Sequence, residues 1–206
     1  RAGWLCDSYF SAIVEHYLFG KVPTEEAFLE NFLQWQPQGL PSGALPMCFP
    51  ADVLDTGTKE LLYKPYDDST GLHIPQWCLW FVLEVFEYLT VRTDGNQKEL
   101  FREKVMGVMQ YLSAYENEDG LLERLPSWNF VEWSKANDWT WDVNYPTNFL
   151  YSEALMAVYA LYGEDAFREK AMHIRSVATE RSFNGKYFTD NAVRDENGVL
   201  CNTGNA

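Results

Sequence analysis

Hydrophobic and polar positions recur along this chain on a helical period, and the helices they predict come in unlike pairs. A first stretch, about 4 to 19, is apolar nearly all round (Trp4, Tyr9, Phe10, Ile13, Val14, Tyr17, Leu18) and stops at Gly20. Its partner, about 24 to 35, is opened by Pro23 and Thr24 and carries Phe28, Leu29 and Phe32. The second pair spans about 75 to 92, again apolar on all sides, and about 97 to 115, where Leu100, Phe101, Val105, Val108, Met109 and Leu112 mark one stripe. The third spans about 145 to 162, with little polar face, and about 165 to 180, where Phe167, Ala171, Ile174 and Ala178 form a stripe and Arg168, Glu169, Lys170 and Arg175 lie outside it.

A helix that is apolar all round must be covered on every side, whereas a one-stripe helix can face water. The alternation therefore predicts an inner ring wrapped by an outer one, and an all-α fold class. Connections within pairs are short, making the partners antiparallel neighbours. Connections between pairs are long. Residues 36 to 74 hold Asp52, Asp55, Asp67 and Asp68, and residues 116 to 144 hold Trp128, Glu132, Trp133, Asn137, Asp138, Trp139, Trp141 and Asp142. Loops of that length inside a compact domain are functional or disordered, and this density of Trp argues for function. If the inner helices all begin antiparallel hairpins, they run parallel and gather their N-termini at one rim. Trp4 and Asp7, His73 to Trp77, and Glu132 to Tyr145 are then expected to converge there, where the helix dipoles favour carboxylates. Beyond Ser182, Asn184-Gly185 and Asn197-Gly198 predict a hairpin or loop leaving the third pair.

Composition narrows the chemistry. The 206 residues, 47% of them hydrophobic, suffice for one sizeable core. A formal charge of -14 opposes a phosphate backbone, so nucleic acid is not an expected partner. No apolar run is long enough to span a bilayer, so no membrane is expected either. The 8 Trp and 12 Tyr exceed the needs of such a core, and their flat faces suit the C–H faces of sugar rings. Cys6, Cys48, Cys78 and Cys201 are widely spaced with no His at ligand spacing, and His16, His73 and His173 stand alone; neither a metal nor a cofactor is expected.

The run Arg1-Ala2-Gly3-Trp4-Leu5-Cys6-Asp7 resembles the E-R-x-G-W-x-G-D motif of the α-L-rhamnosidases of glycoside hydrolase family 78. Phe130-Val131-Glu132-Trp133-Ser134-Lys135-Ala136-Asn137-Asp138, Asn144-Tyr145-Pro146-Thr147-Asn148 and Ile74-Pro75-Gln76-Trp77 resemble further segments of a bacterial rhamnosidase-like branch. The resemblance implies an (α/α)6 six-hairpin toroid, of which residues 1 to 206 form the first three hairpins, with the rest of the same catalytic domain as their partner. It implies inverting hydrolysis of terminal α-L-rhamnosyl linkages. Inversion needs two carboxyl groups about 6.5 to 9.5 Å apart, one to protonate the leaving oxygen and one to activate water.

In the family motif the general acid is the Glu before the Arg that matches Arg1, and the general base lies in the second half of the barrel. The chain alone is therefore expected to be inactive. The candidate catalytic residues this chain offers the site are two carboxylates, Asp7, matching the motif Asp that grips sugar hydroxyls, and Glu132. Arg1, Trp4, Trp77, Trp128, Trp133, Asn137 and Asn144 are the candidate substrate-binding residues, Trp128 competing with Trp133 for one aromatic position. Cys6 departs from the motif's Gly, which keeps open a six-hairpin glycosidase with another sugar preference. A non-catalytic carbohydrate-binding helical protein is the remaining alternative.

Overall fold

The computed structural model describes residues 2–20, 23–34, 40–51, 73–93, 96–133 and 140–203. Six α-helices are found among them: α1 (Leu5–Phe19), α2 (Pro23–Gln34), α3 (Pro75–Glu87), α4 (Lys98–Ser113), α5 (Tyr145–Tyr162) and α6 (Asp165–Ser182). These boundaries fall within a few residues of those the hydrophobic period predicts.

Each start and stop has a local cause. Pro75 occupies the first turn of α3 after an extended Ile74, where its missing N–H and fixed φ cost nothing. The Asn144 side chain caps α5, its amide oxygen accepting from the Thr147 N–H at 2.8 Å. Gly163 closes α5 at φ 78°, a left-handed conformation that glycine adopts without strain. The end of α3 widens into a π-helical turn, Tyr88–Arg92.

The first members of the pairs stand side by side, α3 packed between α1 and α5, and each of α4 and α6 lies against its own partner. The three pairs thus stand side by side with α3 and α5 covered, whereas α1, expected to be covered on every side, buries only Leu5 and Ala12, because among the described residues no helix packs over its outer face. The core runs through all of them, from Leu5, Leu29 and Phe32 through Leu79, Phe81 and Val85 to Leu155, Val158 and Ile174. Polar clamps add to it. Arg92 reaches Glu25 of α2 through three hydrogen bonds of 2.6 to 2.9 Å, both side chains 3% exposed. The 40–51 segment lies on α4 at Gly43, where φ is +85° and a Cβ would sit 2.1 Å from the Gly107 carbonyl oxygen.

Small antiparallel sheets tie down the rim. Strand β1 (Gly3–Trp4) pairs with β2 (Cys48–Phe49) just ahead of α1. Strand β3 (Val143–Asn144), just ahead of α5, pairs with β4 (Asn191–Arg194), which pairs with β5 (Leu200–Thr203). The β4–β5 hairpin turns at Asn197-Gly198, as the sequence predicts, and the Asn184-Gly185 turn is closed by a bridge between Phe183 and Phe188. The N-termini of α1, α3 and α5 therefore share one rim with residues 114–133 and 140–142 and with the segment after α6. Of the two long inter-pair loops, residues 52–72 and 134–139 lie outside the described residues.

Candidate active-site cleft

At that rim a cleft of about 560 Å³ opens between α1, α3 and the loop 128–133. Strand β1 and the first turns of α1 contribute Trp4, Cys6, Asp7 and Phe10, the start of α3 contributes Ile74 and Trp77, and the loop contributes Trp128, Phe130, Val131, Glu132 and Trp133. Six candidate residues widely separated in sequence, Trp4, Asp7, Trp77, Trp128, Glu132 and Trp133, thus line one cavity. Trp128 and Trp133, rivals for one position in the sequence, are both present.

The aromatic wall is continuous. Trp4 meets Trp77 edge-on at 5.3 Å between ring centroids, Trp77 meets Phe130 at 6.3 Å, and Phe130 meets Trp128 at 5.1 Å and Trp133 at 4.7 Å. Trp77 is buried at 8% exposure while Trp133, at 82%, stands at the mouth. Such edge-to-face contacts fix ring orientation and leave flat faces for an apolar ligand surface. Asp7, in the first turn of α1, and Glu132 are both exposed. Burial pushes the Cys6 thiol up to about 11, with Asp7 and then Glu84 adding to the effect. Cys6 therefore stays a neutral thiol and shapes the cleft instead of acting as a nucleophile.

The loop is held by a buried polar network. The Gln76 side-chain amide donates to Asn129 Oδ1 at 3.0 Å and its oxygen accepts from the Phe130 N–H at 3.3 Å. Asn144 lies in the same network and not in the cleft lining. It is 6% exposed, donates to Asn191 Oδ1 at 2.7 Å, and accepts from both the backbone N–H and the hydroxyl of Thr147. The structure thus places it where it orders α5 and β4. Arg1 and Asn137 lie outside the described residues, as do Asp138 and Trp139. Asp142 is buried and accepts from Arg124 and from the Arg194 N–H.

Phe130, at the hub of the aromatic wall, opens one of the segments that resemble the family but is not among the candidate site residues, since its side-chain type alone does not separate it from other apolar loop residues. Asp190 precedes β4 and is not in the cleft lining; burial, reinforced by the nearby Glu132, raises its carboxyl above the usual range. A second cavity, about 770 Å³, lies by Arg124, Arg181 and Arg194. Those guanidiniums are already matched to Asp142, Asp119 and Glu123, so it is a salt-bridged groove with little charge left for a ligand. Among the described residues no cluster of three or more His, Cys, Asp or Glu could hold a metal ion.

No family model matches the chain, and no curated protein matches it. Among solved structures, the crystal structure of a GH78 family rhamnosidase of Bacillus sp. GL1 aligns over 97% of this chain with a TM-score of 0.67 and 18% sequence identity. The chain spans 20% of the length of that protein. At that identity the likeness is one of fold: the helical pairs are arranged as in part of a GH78 rhamnosidase.

Proposed function

We propose that the cleft binds a terminal sugar, and that the chain is part of a glycoside hydrolase acting on α-L-rhamnosyl linkages. The observation that carries this reading is the meeting, in one cavity, of a continuous aromatic wall and two exposed carboxylates, Asp7 and Glu132. Aromatic faces pack on the apolar C–H faces of a pyranose, while carboxylates accept from its hydroxyls. The fold shared with a protein described as a rhamnosidase supports the sugar class.

On this reading Asp7 accepts hydrogen bonds from sugar hydroxyls, Trp4 and Trp77 form the floor beneath the ring, and Trp128 and Trp133 close the side. Glu132 is the second carboxylate facing the ligand, and Arg1 and Asn137 are further contacts. Inverting hydrolysis requires an acid and a base about 6.5 to 9.5 Å apart across the sugar. The GH78 pattern gives Asp7 the task of holding the substrate between them.

Calorimetric titration of the chain with methyl α-L-rhamnoside tests the reading. Asp7→Asn is expected to weaken binding about 10- to 100-fold, the worth of a hydrogen bond to a charged group, while leaving the circular dichroism spectrum unchanged. Absence of sugar binding, or equal binding by the variant, would sink the proposal. Cys6 in the cleft wall, where the motif has Gly, favours one second reading, a related glycosidase for another sugar. Tighter binding of a different methyl glycoside in the same titration would select it.

A further inference from the structure

Glu84 is the one acidic residue in the middle of the apolar run of α3, and it is fully buried at 0% exposure. Its Oε2 lies 2.6 Å from Ser8 Oγ of α1, and its Oε1 is buried without a hydrogen-bond partner among the described residues. Ser8 Oγ is also 2.7 Å from the Leu5 carbonyl oxygen. A hydroxyl has one hydrogen, so Ser8 cannot donate to both oxygens. Both contacts are satisfied if the Glu84 carboxyl carries a proton and donates to Ser8, which in turn donates to Leu5.

The surroundings favour the same state. From α1, Cys6 and Tyr9 lie within electrostatic reach of Glu84, and α2 contributes Glu25. Arg92, the cation nearby, is taken up by its three hydrogen bonds to Glu25 and lies 3.8 Å from Glu87. An ionised carboxylate with a bare oxygen would be uncompensated there. Burial pushes the carboxyl up to about 8, outweighing the Ser8 hydrogen bond and Arg92, which pull it down.

We propose that Glu84 is a positioning residue, a neutral carboxylic acid that clamps α1 to α3 beneath the cleft, and that its ionisation loosens the clamp. The clamp joins the two helices that carry the cleft's walls. Ser8 follows Asp7 directly, and Glu84 lies two turns along α3 from Trp77, whose ring meets Trp4. The inference is independent of what the cleft binds. The sign follows from linkage. Below the ordinary value of 4.5 both folded and unfolded chains hold the proton, and the contribution is whole. As pH rises from there to about 8 the unfolded chain releases its proton first and stability drains away.

Thermal unfolding of the wild-type chain and Glu84→Gln, followed by circular dichroism from about pH 5 to 9, tests the clamp. The melting temperature of Glu84→Gln relative to wild type is expected to rise by several degrees across that range. A difference that stays constant with pH overturns the proposal. Infrared spectroscopy of the wild type alone gives a second measurement that survives failure of the variant to fold. A protonated-carboxyl band present at pH 7 and lost toward pH 10 is the expected result, and its absence at pH 7 overturns the proposal. Neither readout involves sugar, so failure here is distinct from failure of the binding titration.

Discussion

Helices α1 and α5 look alike in sequence, both apolar nearly all round, yet the structure treats them differently. On α5 ten of eighteen residues are buried, packed against α3 and α6, and the carbonyl of Asp190, just ahead of β4, accepts from the Tyr145 N–H at 2.8 Å. On α1 only Leu5 and Ala12 are buried, while Tyr17, Phe19 and Leu18 are 84%, 78% and 68% exposed. The difference teaches that an apolar surface records what a helix is suited to meet, whereas burial depends on which neighbours are there. It also divides the stabilising forces. The third hairpin is held by apolar packing, and the first leans on polar clamps to α3, with Glu25–Arg92 the most buried ion pair among the described residues.

The largest expected effect tests that clamp. Arg92→Ala leaves the Glu25 carboxylate buried without its guanidinium and is expected to cost about 3 to 5 kcal/mol, because the desolvation penalty remains after the attraction is gone. Urea unfolding followed by far-ultraviolet circular dichroism measures it, and a cost below about 1 kcal/mol would show that packing holds the first hairpin as it holds the third.

Next comes a matched pair of leucines. Leu155→Ala in α5, at 1% exposure, is expected to cost about 2 to 5 kcal/mol through lost burial and the cavity left behind. Leu18→Ala in α1 is expected to stay within about 0.5 kcal/mol. Equal costs in the same urea experiment would erase the contrast between the helices.

The smallest effect concerns the rim beside the third hairpin. Hydrogen bonding from Arg194 holds the Glu123 carboxyl below its usual range, despite partial burial. The linkage sign is therefore opposite to that of Glu84. The contribution is present above the unfolded value of 4.5 and fades as pH falls through the folded one. Glu123→Gln should destabilise by about 1 kcal/mol or less at pH 7, the scale for an ion pair whose Arg is one-third exposed. That difference should close as the pH falls from 4.5 through the lowered folded value in thermal melts, and one that widened instead would contradict it.

The sequence by itself determined the helices, their pairing, and the rim at which Trp4, Asp7, Trp77, Trp128, Glu132 and Trp133 meet. Those features rest on local rules. Apolar spacing marks a helix, Gly20 and Gly163 each end one, and Pro23 and Pro75 each open one, every signal acting on residues adjacent to it in the chain. Short turns then force antiparallel neighbours, and parallel inner helices force their N-termini together. The tertiary structure decided which side chains that rim uses. Trp77 and Trp133 read alike in sequence, but one is buried in the cleft floor and the other stands at its mouth. Asn144 sits in a stretch that resembles a functional motif, yet its amide is taken up by Thr147 and Asn191, the second 47 residues away. Glu84 is legible as a lone acid in an apolar helix, but its protonation depends on Ser8, 76 residues distant, and on an arginine already engaged with Glu25. Periodicity is a property of neighbours along the chain, whereas burial, hydrogen-bond satisfaction and charge state belong to neighbours in space, which are fixed only when the hairpins pack.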